Sequence, residues 1–461
     1  MKKITSRAFV CIILAFLLIL GSLFFVFRFF TKGGQWASYP SNKHLYSDGV
    51  LNCGRVLDQN GTVLASYDDG WHYAESESMR RAVLHAVGDP KGSIGSGAMS
   101  QFASKLTGYN PITGANTVFS GGRDLYLTID ADVCETAYKA LNGKNGTVGV
   151  YNYETGEIIC MVSSPGFDPA DGIPEADSDD SGSDNSGMFI NRLLSSKMTP
   201  GSTFKLITAT AAIENIEDID NWTFTCTGST NVGNSGSTVI TCVNAHGEVN
   251  FEEALTVSCN AAFAQLAIDM GKSVMEKYTK STGLTSVYSI NGISTTASSF
   301  DFDYDDEDGL AWSGVGQGRD LVNPCALMIF CGAVANGGKA AVPQIIDHTA
   351  FLEGSRTSIY IKRSTSELIK SETASKLCEM MKNNVKNNYG SDNFPGLEIA
   401  AKSGTAEVDT SKASNSWFTG FLDDSSHPLA FVVSVEEGGS GAKTAGGIAN
   451  KVLQAAVEKG Y

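Results

Sequence analysis

The chain has 461 residues, 42% of them apolar, and a formal net charge of −16 at pH 7. That length points to more than one domain, and that apolar share excludes a disordered chain. An acidic surface repels phosphate backbones, which argues against nucleic-acid binding.

The first element is a targeting segment. Lys2, Lys3 and Arg7 precede an uncharged run of 20 residues from Ala8 to Phe27. As a helix it is roughly 30 Å long, enough to cross a bilayer. Arg28 and Lys32 follow, and the remaining charge asymmetry favours the N-terminus inside and the body outside. The run is long for a signal peptide and no small-x-small cleavage site follows it. Residues 1–32 are therefore expected to be a cytoplasmic tail and an uncleaved single-pass anchor in the cytoplasmic membrane.

Residues 33–124 are short, mixed text rich in Gly, Ser and Asn, and read as a small N-terminal pedestal. The pattern changes at Leu125-Tyr126-Leu127-Thr128-Ile129, an alternating strand signal, followed by a helical run from Ala131 to Leu141. Gly146–Tyr151 and Glu157–Val162 predict two strands around the turn Glu154-Thr155-Gly156. A second domain is expected over 125–461. Two acidic stretches, Asp168–Asp184 and Asp301–Asp308, read as solvated loops, and neither has the spacing of a calcium-binding loop.

Ten cysteines form no obvious framework. Cys11 lies in the apolar run, which leaves an odd number outside it. Cys226 and Cys242 share one loop-rich stretch and could pair, although pairing cannot be read from sequence. Cys160, Cys325 and Cys331 sit in apolar patterns and read as small core residues. The chain has no CxxC spacing and no HExxH, so no metal and no cofactor is expected.

The chemistry-bearing text begins at Pro200-Gly201-Ser202-Thr203-Phe204-Lys205, which opens an apolar helical run through Ala212. Pro and Gly break the chain, so the helix is predicted to start just after them with Ser202 at its N-terminus, where the dipole favours developing negative charge. The three-residue spacing puts Ser202 and Lys205 on one face. A serine hydroxyl needs a base, and a lysine with a lowered pKa can serve. The same text also describes a helix-capping serine followed by a surface lysine.

A second element, Lys402-Ser403-Gly404-Thr405, follows the apolar Leu397–Ala401. On a strand edge Gly404 would let a substrate backbone approach closely. Lys402 and Ser403 would hold a carboxylate, and the Thr405 N–H could complete an oxyanion hole. The third element is S-x-N, which occurs five times, at Ser183, Ser229, Ser258, Ser289 and Ser391. Two of these are literal Ser-Asp-Asn. Ser183 precedes the nucleophile inside an acidic loop, and Ser391 stands in an Asn/Gly turn only 11 residues before Lys402. Ser258-Cys259-Asn260 instead sits in an apolar pattern of helical period, Ala254 to Leu266, which would hold polar groups in place.

These three elements in this order resemble the penicillin-binding transpeptidases of class B, which carry a single membrane anchor. Flanking text matches too: Leu127-Thr128-Ile129-Asp130, Ser164-Pro165-Gly166-Phe167-Asp168-Pro169, Asn191-Arg192, Cys226…Cys242…His246-Gly247, Gly316-Gln317-Gly318 and Trp417-Phe418-Thr419-Gly420. The subgroup most similar is the short penicillin-binding protein A type. One departure is in the pedestal, where Cys53 and Gln59 replace two arginines of the family pattern, which puts ionic ties there in doubt.

The resemblance implies an α+β fold: a mainly antiparallel five-stranded sheet flanked by helices, with a pedestal and one transmembrane helix. It implies a D,D-transpeptidase that cross-links peptidoglycan stem peptides through a serine acyl-enzyme and is a target of β-lactam antibiotics. Ser202 would be the nucleophile and Lys205 its base. Ser258 and Asn260 would relay the proton and hold the peptide. Lys402, Ser403, Gly404 and Thr405 would orient the terminal carboxylate. A membrane glycan polymerase is an expected partner. The rival readings are a D,D-carboxypeptidase, a serine β-lactamase and a non-catalytic β-lactam-binding scaffold of the wall machinery.

Overall fold

A computed structural model describes the chain except for residues 1, 40–41, 43–44, 48–49, 111, 113, 115–121, 176–186, 233–237, 303–305, 352–353, 355, 357–360 and 408–411. The chain opens with helix α1 (Lys2–Ala37), which takes in the whole apolar run and continues past it. Its Phe, Leu and Ile side chains are exposed along the run. Among the described residues it is the one helix long and apolar enough to cross a membrane. So much bare apolar surface on a helix of this length fits a single-pass anchor. At its end Gly33 meets the body: a Cβ there would lie 2.6 Å from the Tyr109 hydroxyl.

The pedestal is built on three short strands, β1 (Arg55–Leu57), β2 (Val63–Tyr67) and β3 (Trp71–Tyr73). β4 (Arg123–Leu127) joins β1 in parallel. Arg55 and Asp124 face each other across that pair, and the guanidinium grips the carboxylate through two bonds of 2.7 and 2.8 Å. One ionic tie thus survives despite Cys53 and Gln59. The expected boundary at 124/125 falls inside β4.

Asp130 caps helix α2 (Ala131–Leu141) by accepting from the Val133 N–H at 3.0 Å. The hairpin β5 (Gly146–Asn152) and β6 (Ile158–Ser164) follows, around the turn expected at Glu154-Thr155-Gly156. Its turn is tied by Asn152 Oδ1, which accepts from the N–H groups of Glu154 and Thr155. After helix α3 (Lys205–Asn215) come four short strands, β7 (Thr223–Cys226), β8 (Ser229–Val232), β9 (Thr238–Thr241) and β10 (Gly247–Asn250). β7 pairs with β10, and β8 with β9. Then come α4 (Phe251–Thr256), α5 (Asn260–Met270) and α6 (Pro324–Ala335). Strand β11 (Ile346–Phe351) returns to pair with β4, so the pedestal sheet runs β11-β4-β1-β2-β3 and draws one strand from far along the chain.

Helix α7 (Ser371–Asn384) precedes β12 (Ile399–Ala406), β13 (Asn415–Leu422) and β14 (Leu429–Val435), and α8 (Gly446–Glu458) closes the fold. The main sheet is antiparallel throughout, in the order β12-β13-β14-β5-β6. Both its faces are covered, which is why β13 and β14 are buried along their whole length. α6 is apolar on all sides and lies against one face, where Cys331 meets Thr419. α2 and α8 cover the other, where Gly446 abuts Phe418. β12 is left as an edge, and α7 and the turn Gly201–Phe204 stand beside it. The fold class expected from the sequence is the one observed.

Candidate active site

Three chain segments meet at the β12 edge. The first carries Ser202. The helix predicted to begin at this serine begins three residues later: Gly201–Phe204 form a 3₁₀ turn that feeds α3 at Lys205. In a 3₁₀ turn residues i and i+3 eclipse, so Ser202 and Lys205 still share a side. The turn is fastened from below. Gly201, at φ +54°, donates its N–H to Gly316 O at 2.9 Å. Thr203 Oγ1 donates to Pro200 O at 2.8 Å, and the Trp417 indole donates to Thr199 O at 2.9 Å.

The second segment is Ser258-Cys259-Asn260. It does not lie within a helix, as its apolar spacing suggested, but at the break between α4 and α5. Ser258 has φ +55°, a left-handed conformation rare for a residue with a Cβ. It is held there by Ser258 N–H donating to Leu255 O and Cys259 N–H to Ala254 O. The break turns three groups toward Lys205. Its ammonium donates to Ser258 O at 2.7 Å, Ser258 Oγ at 3.1 Å and Asn260 Oδ1 at 2.6 Å. Among the described residues the Ser202 hydroxyl has no hydrogen-bond partner.

The third segment is the β12 edge. Lys402 Nζ donates to Ser258 Oγ at 3.0 Å, so one hydroxyl bridges two lysines. Lys402 also donates to Ser403 O at 3.0 Å. Thr405 Oγ1 accepts from the Gly441 N–H at 3.3 Å. Gly404 serves a different neighbour from the one expected. A Cβ there would lie 2.7 Å from Pro200 O and 3.0 Å from Thr203 Cγ2, so its bare backbone makes room for the Ser202 turn. Gly404→Ala is expected to cost about 1–3 kcal/mol of stability through this overlap and to slow acylation by displacing the turn. Thermal unfolding and penicillin labelling measured together check this; a variant as stable and as reactive as the wild type would rule the packing out.

The cleft above these groups measures about 810 Å³ and is lined by Ser202, Ser258, Asn260, Ser403 and Thr405. Lys205 and Lys402 lie beneath its floor, both fully buried. Burial holds the Lys205 pKa well below the usual lysine value, and the neighbouring Lys402 charge adds to this. Burial alone brings Lys402 to about 7. Their hydrogen-bond partners are neutral oxygens, so a second positive charge here is opposed by desolvation and by the first.

Among the described residues, the other S-x-N matches do not line this cleft. Ser391-Asp392-Asn393 is a separate 3₁₀ turn. Ser229 and Ser289 lie in short strands elsewhere. Ser183-Asp184-Asn185 lies outside the described residues.

The model of the penicillin-binding protein transpeptidase domain matches residues 146–457. The chain belongs to this family. It is similar to peptidoglycan D,D-transpeptidase PbpA of Mycobacterium tuberculosis, with 28% identity over 333 residues, 68% of this chain and 67% of that protein. The PbpA of Mycolicibacterium smegmatis is 26% identical over 456 residues, 93% of this chain and 89% of that protein. Among solved structures, penicillin-binding protein A from M. tuberculosis as a ceftriaxone acyl-enzyme superposes with a TM-score of 0.73 at 22% identity, covering 89% of this chain and 99% of that one.

One further group touches the site of this penicillin-binding transpeptidase, and sequence reasoning missed it. Tyr389 ends a π-helical turn, Val385–Tyr389, that continues α7. Its hydroxyl accepts the Ser403 N–H at 2.9 Å and lies 3.1 Å from Ser403 Oγ. Nearby, Asn384 Nδ2 donates to Ala401 O at 3.1 Å. The two side chains hold the free edge of β12 where no strand pairs with it. A lone tyrosine in polar text gives no signal of this. Tyr389→Phe should slow penicillin acylation about tenfold, the effect of one lost hydrogen bond of about 1–1.5 kcal/mol. Stopped-flow acylation rates test it, and an unchanged rate would remove Tyr389 from the site.

Proposed function

We propose that this protein is a peptidoglycan D,D-transpeptidase that works through an acyl-enzyme on Ser202. The carrying observation is the convergence of Ser202, Lys205, Ser258, Asn260 and Lys402 at one cleft. The donor is a stem peptide ending in D-Ala-D-Ala. Lys205 takes the Ser202 proton as Oγ attacks the penultimate carbonyl. The N–H groups of Ser202 and Thr405 bind the oxyanion. Ser258, between the two lysines, passes the proton to the departing D-Ala nitrogen as the C–N bond breaks. Asn260 holds the peptide amide, and Lys402, Ser403 and Thr405 orient the terminal carboxylate at the edge that Gly404 keeps close. An amine from a neighbouring strand then attacks the ester, forms the new amide and returns Ser202 as a hydroxyl. Asp308 and Glu407 line the same cleft, a suitable setting for a cationic acceptor. β-Lactams acylate Ser202 and remain.

In this reading the anchor (residues 1–32) places the N-terminus in the cytoplasm and the catalytic part outside. A pedestal, 33–124, raises a transpeptidase domain, 125–461, toward the wall, beside a membrane glycan polymerase. Depletion followed by mass spectrometry of wall fragments tests the reaction. Loss of cross-linked dimers, restored by the wild-type chain and not by Ser202→Ala, supports transfer to an amine. A rise in pentapeptides with dimers unchanged points to a D,D-carboxypeptidase instead.

A further inference from the structure

The end of the anchor helix is seated in the pedestal. Near the close of α1, a Cβ on Gly33 would stand 2.6 Å from the Tyr109 hydroxyl, and one on Gly34 would stand 3.0 Å from Ser104 Cβ. Ser38, the residue after α1, is buried, and its carbonyl accepts the Tyr46 hydroxyl at 2.9 Å. The Ser38 hydroxyl donates to Gly34 O at 2.6 Å, and Asn42 Nδ2 donates to Ala37 O at 2.7 Å. Side chains thus satisfy carbonyls that a helix end otherwise leaves bare.

Distance along the helix decides what this join faces. The uncharged run of 20 residues ends at Phe27 and matches a hydrocarbon layer of roughly 30 Å. Gly33 is six residues further on, about 9 Å at the helical rise. A headgroup layer is roughly 5–8 Å deep, half the difference between a whole bilayer and its core. The pedestal surface at Tyr109 therefore comes down on the headgroups. The side chains there suit that depth. Trp36 and Tyr39 are 49% and 65% exposed. The Trp36 ring stacks back on Phe25, at 6.5 Å between centroids, and so lies toward the apolar run. Ile112, three residues past Tyr109, is 88% exposed. Its position is fixed: Asn110 and Gly114 exchange both backbone hydrogen bonds, and Asn110 Oδ1 accepts the Ile112 N–H at 2.8 Å. Trp and Tyr collect where acyl chains meet headgroups, and Ile112 adds apolar surface beside them. Lys32 and the exposed Lys105, next to Ser104, supply positive charge for lipid phosphates.

We propose that the pedestal rests on the membrane through Trp36, Tyr39 and Ile112, with the phospholipid headgroups of the leaflet from which α1 emerges as its partner. Lipid is favoured over a protein partner because the patch is continuous with the anchor. Phe30, three residues before the Gly33 contact, is 62% exposed on the same helix and already meets lipid when α1 spans the bilayer. A helix seated in this way is no flexible tether. α1 and the pedestal tilt as one body, and the cleft is held at one height over the membrane. The inference rests on α1 as a membrane anchor and not on the transpeptidase reading.

The test uses the full chain in vesicles of phosphatidylcholine and phosphatidylglycerol. Their acyl chains carry bromine, a contact quencher of tryptophan, either near the headgroup or at the chain end. Emission is read as each variant minus the wild type, which removes the five native tryptophans. Leu18→Trp, in the middle of the apolar run, should lose its added emission to chain-end bromine, which reports the anchor in place. Ile112→Trp should lose most of its added emission to shallow bromine and little to chain-end bromine. Gly33→Val in the Ile112→Trp chain should restore much of that emission, because the new side chain wedges α1 away from Tyr109. Quenching of Leu18→Trp with none of Ile112→Trp, whose emission stays as red as in water, would overturn the membrane contact. A blue-shifted Ile112→Trp that neither bromine quenches is covered by protein, and overturns it as well. No quenching of Leu18→Trp would remove the anchor and the contact with it. Quenching of Ile112→Trp that Gly33→Val leaves unchanged would overturn the seating of α1 as its cause.

Discussion

Ser202→Ala is expected to abolish labelling by a fluorescent penicillin, a fall of about 10⁴-fold or more, with the fold intact. The argument is local. The Ser202 side chain makes no hydrogen bond among the described residues, so its hydroxyl does not hold the turn. The turn is held instead by Gly201 N–H on Gly316 O, Thr203 on Pro200 O and the Trp417 indole on Thr199 O. Alanine suits a helical first turn at least as well as serine. Melting temperature should therefore stay within a few degrees while covalent labelling disappears. No other serine in the cleft can take over. Ser258 shares its hydroxyl with two lysines, and Ser403 shares its own with Tyr389. Labelling of the variant at the wild-type level would remove Ser202 as nucleophile and leave the site without one.

The legibility of this protein followed the range of its interactions. The anchor was readable because an uncharged run of that length has few other uses. The β5–β6 hairpin was readable because two strand-like runs flank the turn Glu154-Thr155-Gly156. Ser202-x-x-Lys205 and Lys402-Ser403-Gly404 were readable because each acts within one turn or one strand edge. Ser258 could be told from Ser391 because α4 and α5 both face the core, so apolar spacing runs through them; of the two, Ser258 lines the cleft. The same spacing hid the break between them, since φ at one residue leaves the pattern unchanged. What stayed hidden pairs residues far apart. β11 joins β4 across more than two hundred residues, and nothing in Ile346–Phe351 names its partner. Tyr389 reaches β12 only because a π turn bulges α7. Cys226, Cys242, His246 and Cys259 come from four segments, so no short motif announces that they meet. Nor does composition, which shifts at Leu125, show that β4 runs across the shift and pairs on both sides of it.

Lys205→Ala should slow acylation about 10³- to 10⁴-fold, the scale of a lost general base, and the pH profile of the wild type should show why. Burial and the Lys402 charge both oppose protonation of Lys205, which lowers its pKa; Cys259 and Cys242 act weakly in the other direction. A lowered pKa means that the neutral, proton-accepting form persists to lower pH than in a free lysine. The acylation rate is then level above the folded-state pKa and falls as pH drops through it, because protonated Lys205 cannot receive the Ser202 proton. Lys402, brought to about 7, titrates with it through the shared Ser258 hydroxyl, so the acid limb belongs to the pair. Lys402→Met separates the two. It removes the like charge, raises the Lys205 pKa and should move the acid limb to higher pH, besides weakening capture of the carboxylate. Ser258→Ala cuts the bridge but leaves both charges, so it should lower the plateau more than it moves the limb. These outcomes are read from second-order acylation rates followed over pH on both sides of the Lys402 value of about 7. A Lys402→Met limb at the wild-type position would show that the two ammonium groups do not sense each other, and Lys205 would then lose the neighbour that helps to make it a base.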